Sequence, residues 1–380
     1  MDTEEDQPRF EIEFQPASEI KPKRVQWIWP NVIPEAELTV FGGLPGCGKS
    51  TVSMDIVASV TMGRDFPGGI SNPNGPQDAL LLVSEDDKAT TVVPRLMAAC
   101  ADLTRVFFVT KVFIDQNMNR KERMIAFDRD MVSLGNGISE HPSIRLIVID
   151  PITSYLGAAK KNDENDMRRI YDRLKDLAGE HNLALLLVDH FNKNTGQLAI
   201  HRFSGSQATT AVPRSVWMIA KESSDEHDEE IDACLLLCVK LNIVAKSKKK
   251  GRLYNIVTRN VDVEGKPEGV SAIEWTGTTN ESADEFLKRQ QQELTGDGAE
   301  DGKQMVARET LLAALENGPL PSKQVEEMAE TEGISERTLN RARKALNIKS
   351  FKQGDAWYMR LPAMKPAVQN LTEETESEFL

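Results

Sequence analysis

The sequence predicts an α/β protein, a mostly parallel sheet with helices on both faces, followed by a small second domain. Three observations support this. Five near-continuous apolar runs of strand length recur: "ELTVF", "ALLLVS", "RVFFV", "IRLIVID" and "LALLLVDH". The four connections between them are long enough for helices, as "TTVVPRLMAAC" and "DMRRIYDRLKDLAGEH" suggest. Buried strands alternating with amphipathic helices make a parallel sheet covered on both sides. Thirdly, a polar stretch separates this pattern from a short region with helix, turn and hairpin signals.

Bulk properties narrow the class. The chain has 380 residues, enough for two domains, and 40% are hydrophobic, so a substantial core forms and global disorder is excluded. No apolar run approaches the roughly 20 residues of a membrane span. The start, "MDTEEDQPRFEIEF", is acidic without an apolar core, so no signal peptide is expected. Cys47, Cys100, Cys234 and Cys238 are too few and too dispersed for a disulfide framework. They read as reduced residues of a cytoplasmic protein. The net charge of −13 argues against a surface that coats nucleic acid everywhere, yet it leaves room for a local basic channel.

The elements follow in order. Residues 1–24 read as a polar N-terminal arm, and 25–275 as the large domain. Its first strand, "AELTVF", runs into "GGLPGCGKST", and "STVSMDIVASVTMG" has helical spacing. Gly43, Leu44, Pro45, Gly46, Cys47, Gly48, Lys49 and Ser50 fit the phosphate-loop pattern G-x-x-x-x-G-K-[ST], with Thr51 next. Backbone N–H groups there wrap anionic oxygens in front of a helix N-terminus. Lys49 is expected to reach the β- and γ-phosphates of ATP, and Ser50 to ligate Mg²⁺.

Hydrolysis also needs a metal orienter and a carboxylate that positions water. In a parallel sheet such groups lie at strand C-termini. "IRLIVID" ends in Asp150, suited to orient Mg²⁺. "ALLLVSEDD" ends in Glu85, Asp86 and Asp87. Glu85, directly after the strand-end serine, is the candidate for activating water, with Asp86 and Asp87 capping the next helix. "LALLLVDH" ends in His190, placed to bond the γ-phosphate or the attacking water.

After His190 the pattern changes. "SVWMIAK", "DACLLLCVKL" and "RLYNIVT" read as antiparallel strands added to one edge. Residues 276–303 read as a linker, helical around Glu285–Glu293. In 304–362, "SKQVEEMAETEGISERTLNRARKAL" reads as helix, turn at Gly333, and a helix capped by Ser335. "IKSFKQGDAWYMRLP" reads as a hairpin turning at Gln353–Gly354, and the combination is a winged helix. Residues 363–380 form an acidic tail.

Taken together, "WIWPNVIPEAELTVFGGLPGCGKST", "LLLVSEDD", "LIVIDPITSYLG", "LLLVDHFNK" and "SGSQATTAVPRSVWMI" resemble the RecA-type ATPases of the RepA-like replicative helicase group. These occur on plasmids and phages, often with a C-terminal winged helix. The resemblance covers about residues 25–275, and the small domain through "SERTLNRARKAL". It implies a RecA-like fold, a hexameric ring with ATP at subunit interfaces, Glu85 as catalytic glutamate and His190 as polar sensor. It also implies a basic residue supplied by the neighbouring subunit. Arg214 is the first candidate, then Arg202, then Lys240, whose related K-x-R pair is broken here by Asn242.

In such a ring "FNKNTGQLAIHR" faces the central channel, where Lys193 and Arg202 can touch single-stranded DNA. The run Lys246–Arg252 is a further candidate, or simply an exposed hairpin turn. Arg337, Arg341, Arg343 and Lys344 on the second small-domain helix suit phosphate contact, and docking to protein fits them nearly as well. Three functions remain in play. They are a ring-forming DNA helicase or translocase, a non-translocating DNA-binding ATPase switch, and a P-loop small-molecule kinase.

Overall fold

The computed structural model describes residues 13–361 except 110, 117–118, 193–197, 204–205, 223–231, 246–247, 296–298, 316–317, 347 and 354–355. Half of the expected arm, Lys193, Lys246, Gly354 and the whole acidic tail lie outside the described residues. The chain divides into two compact units, Met1–Leu287 and Lys288–Leu380.

In the first unit, a hairpin of β1 (Trp27–Trp29) and β2 (Ile33–Pro34) precedes β3 (Leu38–Gly43) and α1 (Lys49–Met62). Then come β4 (Asp78–Val83), α2 (Val93–Ala98), β5 (Val106–Phe108), a hairpin of β6 (Val112–Gln116) and β7 (Asn119–Arg123), and α3 (Met131–Ser139). β8 (Ile144–Asp150), α4 (Glu164–His181), β9 (Ala184–His190) and α5 (Ala208–Ala211) follow. The unit closes with β10 (Ser215–Lys221), β11 (Asp232–Leu241), β12 (Gly251–Val263), β13 (Lys266–Thr279) and the start of α6 (Ala283–Thr295).

Nine strands form one sheet in the order β13-β12-β11-β10-β3-β9-β8-β4-β5. From β10 to β5 neighbours are parallel. Strand periodicity splits the apolar residues between two cores. Val40, Leu82, Ile147 and Leu187 face one side, with Ile170 and Leu174 of α4. Phe41, Leu81, Val148 and Leu186 face the other, with Val52 and Ile56 of α1. The strands are apolar on both faces because both faces are covered. This is the covered, mostly parallel sheet that the alternating pattern implies, and it is consistent with the RecA-like fold that the resemblance implies.

Two expectations change. "SVWMIAK" is β10, and it runs parallel to β3, with Ser215 opposite Thr39 and Ile219 opposite Gly43. The antiparallel extension therefore begins one strand later, at β11. Among the described residues the crossover from β9 contains a 3₁₀ turn, Ala199–His201, and the four-residue α5, both too short to leave a helical period in the sequence. The extension also contains β13, whose apolar positions are diluted by glycine, glutamate and threonine.

β13 continues to Thr279, and α6 starts on a reciprocal cap. The Ser282 backbone N–H donates to Glu285 Oε2 at 2.8 Å, while the Glu285 N–H donates to Ser282 Oγ at 3.3 Å. The Ala199 N–H donates to Asp284 Oδ1 at 2.8 Å. Ala283 and Phe286 are buried in the core that also holds α4. Residues 283–286 thus pack as part of the large unit.

The second unit contains α7 (Ala299–Leu315), β14 (Leu320–Pro321), α8 (Ser322–Thr331), α9 (Glu336–Ala345), β15 (Lys349–Gln353) and β16 (Ala356–Arg360). Leu311, Leu315, Val325, Leu339 and Met359 form its core. Ser335 Oγ caps α9 by accepting from the Thr338 N–H at 3.3 Å. Its three strands pair in the order β14-β16-β15.

Phe286→Ala should cost about 3–5 kcal/mol in urea unfolding of the large unit, the usual penalty for emptying a buried phenylalanine site. A solvated linker side chain in its place predicts no change.

Candidate active site

The site is built by strand order. β9 lies between β3 and β8, and β4 is next. Gly43 pairs with His190, and Val83 with Asp150, so four strand ends finish along one edge. There the chain leaves β3 for α1. A side chain at Gly43 would place its Cβ 2.4 Å from the Ile219 carbonyl oxygen, so only glycine fits beside β10. Gly48 has φ of 80° and opens α1 without a side-chain cap. The first N–H groups of α1 are left for an anion.

Lys49 is buried, and its Nζ donates to the carbonyls of Gly43 at 3.1 Å and Leu44 at 2.8 Å. Its charge acts on Asp150 and on His190, so the ammonium stands between the ends of β8 and β9. Cys47 Sγ donates to the Leu44 carbonyl at 2.8 Å, and burial pushes its thiol pKa up. From the antiparallel extension, Tyr254 OH donates to the Cys47 carbonyl at 3.2 Å.

Asp150 is partly buried at the end of β8. Burial raises its pKa, the Ser50 hydroxyl and Lys49 lower it, and Glu85 and Asp86 raise it again. Ser50, Glu85, Asp86, Arg95 and Asp150 line one cleft. Three neighbouring carboxylates with a serine hydroxyl suit Mg²⁺, which takes one or two protein oxygens and completes its shell with water and phosphate. No cluster of three or more histidine, cysteine or acidic residues arranged to hold a metal occurs among the described residues.

The three acids after β4 divide their work. Asp87 accepts from the N–H groups of Ala89 at 3.0 Å and Thr90 at 2.8 Å. These bonds, Thr90 foremost, hold its carboxyl below the usual range. Asp86 is paired with Arg95, a different role from the expected capping. Glu85 has neither kind of partner among the described residues, and its charge acts on both Asp150 and His190. His190 is half-buried, and burial together with Lys49 pushes its pKa down, leaving a neutral imidazole at neutral pH.

The candidate trans-acting cations lie elsewhere. Arg214 precedes β10, at the strand end opposite the phosphate loop. Its side chain is 44% exposed, with Glu37 3.9 Å away. Lys240 Nζ donates to the carbonyls of Thr210 and Ala211, both at 2.7 Å, and closes α5. Arg202 is 6% exposed and lies over the Phe191 ring at 5.3 Å. It is therefore not the exposed channel cation its sequence context suggests, because Phe191 and Phe203 pack edge to face beside it. Arg252, at the end of the lysine run, is likewise buried, stacked over Trp29.

Two further groups escape sequence reasoning. Tyr254 supports the loop from β12, far away in the chain. Asp189 is buried within β9 and pairs with Lys161 at 3.1 Å. Its signal was an acid inside an apolar run, masked by the more conspicuous His190.

Burial raises the folded-state pKa of Asp150 above 3.8, so the folded state binds more protons than the unfolded state just above that pH. Stability contributed by this residue therefore falls as pH rises through that window and stays lost at neutral pH. Asp150→Asn should melt higher than the natural protein at pH 7, with the gap closing below about pH 4. It should also lose nucleotide hydrolysis.

No curated protein matches the chain. A protein-family model described as AAA domain matches residues 5–196. That match spans half of the 380 residues and takes in the phosphate loop, Glu85, Asp150 and His190, and the chain belongs to the AAA domain family, whose members are P-loop ATPases.

Proposed function

We propose that the protein hydrolyses ATP within a ring of its own copies, and that the ring moves along or remodels single-stranded DNA in plasmid or phage replication. One observation carries this reading. The arginine lining the cleft, Arg95, is tied to Asp86, while Arg214 stands half-exposed at the far end of the sheet. Phosphoryl transfer needs positive charge on the γ-phosphate oxygens. A second copy of the chain can bring Arg214 to that position. The replication context comes from the RepA-like resemblance of the motif set.

Each residue then has a task. The N–H groups at the start of α1 and the Lys49 ammonium hold the β- and γ-phosphates. Ser50 and Asp150 would hold Mg²⁺, which would supply positive charge to neutralise the phosphate oxygens. Glu85 accepts a hydrogen bond from the attacking water and orients it in line. Neutral His190 donates to the γ-phosphate and loses that bond when phosphate departs.

The second unit supports the switch as a second reading. α9 carries Arg337, Arg341, Arg343 and Lys344, and Arg343 Nη2 donates to Ser350 Oγ at 2.7 Å, joining the helix to β15. A winged helix of this kind binds duplex DNA through its second helix. Removing residues 299–380 separates the readings. A motor keeps single-stranded-DNA-stimulated ATPase after the deletion, whereas a switch loses DNA binding altogether.

Glu85→Gln should still bind ATP and lose about 10²–10⁴-fold in turnover, the usual range for a lost general base. Mixing Glu85→Gln with Arg214→Ala subunits should restore part of the activity, because one type of interface then holds an intact Glu85 and an intact Arg214. No recovery at any mixing ratio counts against the ring.

A further inference from the structure

Asp189 and Lys161 are not used by the mechanism above, and they meet beside His190. Asp189 is 1% exposed, and an isolated carboxylate at that depth is strongly disfavoured. It is satisfied twice at one oxygen. Lys161 Nζ donates to Asp189 Oδ1 at 3.1 Å, and the His190 backbone N–H donates to the same atom at 2.8 Å. The end of β9 is thus anchored from the chain that follows β8.

Lys161 makes a second attachment. Its backbone carbonyl accepts from the Ser206 N–H at 3.1 Å. Nearby, Ser206 Oγ donates to Glu164 at the start of α4, and the Ala208 N–H donates to the same carboxylate at 3.3 Å. Ser206 belongs to the connection between β9 and α5. One residue therefore joins that connection, through its backbone, to the strand end carrying His190, through its side chain. The Lys161 side chain stays 29% exposed, so the joint lies at the surface of the fold.

We infer that Lys161 is a positioning residue, one that transmits displacement of the connection between β9 and α5 to His190 through Asp189. The inference rests on the reading of His190 as the γ-phosphate sensor. A buried ion pair broken on one side strands the other charge. A shift of the Lys161 backbone with Ser206 thus alters the bonding of Asp189 and, with it, the turn at His190.

The test uses the full-length protein and three variants: Lys161→Met, Lys161→Arg and Lys161→Met with Asp189→Asn. Hydrogen exchange is read at the His190 and Ser206 amides, with turnover and KM for ATP in parallel. In Lys161→Met both amides should exchange at least about tenfold faster, although the Ser206 acceptor is a backbone atom the substitution leaves in place. Turnover should fall about tenfold with KM unchanged, as for a contact made late in the reaction. Lys161→Arg should restore both readouts. The double variant should regain thermal stability, because no charge is stranded, yet not turnover.

Unchanged exchange at Ser206 in Lys161→Met overturns the inference. Full recovery of turnover in the double variant does so too, since it reduces the pair to charge compensation. His190→Asn with natural turnover instead overturns the sensor reading, and exchange at Ser206 still decides whether the joint exists.

Discussion

The structure depends on holding one ammonium in a buried place. Lys49 lies at the start of α1, with two loop carbonyls as acceptors and the ends of β8 and β9 on either side. A buried charge is tolerated where it is hydrogen-bonded and where opposite charge is close. Asp150 supplies that charge, and it is itself crowded by Glu85 and Asp86. The edge therefore gathers three carboxylates in one cleft, of which Asp86 is already paired with Arg95. In the proposed reading a phosphate with its divalent cation would complete this edge, the loop N–H groups taking the anion and Ser50 with Asp150 the metal.

Support for the loop comes from outside the parallel sheet. Tyr254 bonds the Cys47 carbonyl, and a Cβ at Gly48 would come 2.7 Å from Ile256 on the same strand. On β13, Trp275 Nε1 donates to Asp55 Oδ2 at 2.7 Å, and Asp55 lies on α1 beyond the loop. Burial raises the pKa of Asp55 against the opposing effects of Trp275 and Arg64. The antiparallel extension thus fixes both the phosphate loop and the helix behind it. It also leads through β13 into α6, whose first turn is locked into the large core by Phe286.

The parallel strands and the candidate positions Lys49, Glu85, Asp150 and His190 were legible because each is a local pattern. An apolar run ending in an acid or histidine needs no tertiary knowledge to be read, and the phosphate loop is nine consecutive residues. The direction of β10 was not legible, because the described helical pieces of its crossover are three and four residues long and leave no period. Arg202 was misplaced for a similar reason. Phe203 follows it directly, but Phe191 lies eleven positions earlier, and the two rings meet beside it only in the fold. Tyr254 and Lys161 act across long sequence separations, 207 residues from Tyr254 to Cys47 and 28 from Lys161 to Asp189. No spacing rule links such pairs.

The central claim is that hydrolysis needs a neighbouring copy and responds to single-stranded DNA. The most direct measurement is ATP turnover of the natural protein with and without single-stranded DNA over a range of protein concentrations, alongside its native mass in a non-hydrolysable ATP analogue. The account predicts a closed multiple of 42.3 kDa in the analogue. It also predicts turnover that rises more than linearly with concentration and increases further with DNA. A monomeric mass with turnover strictly proportional to concentration and indifferent to DNA would contradict it.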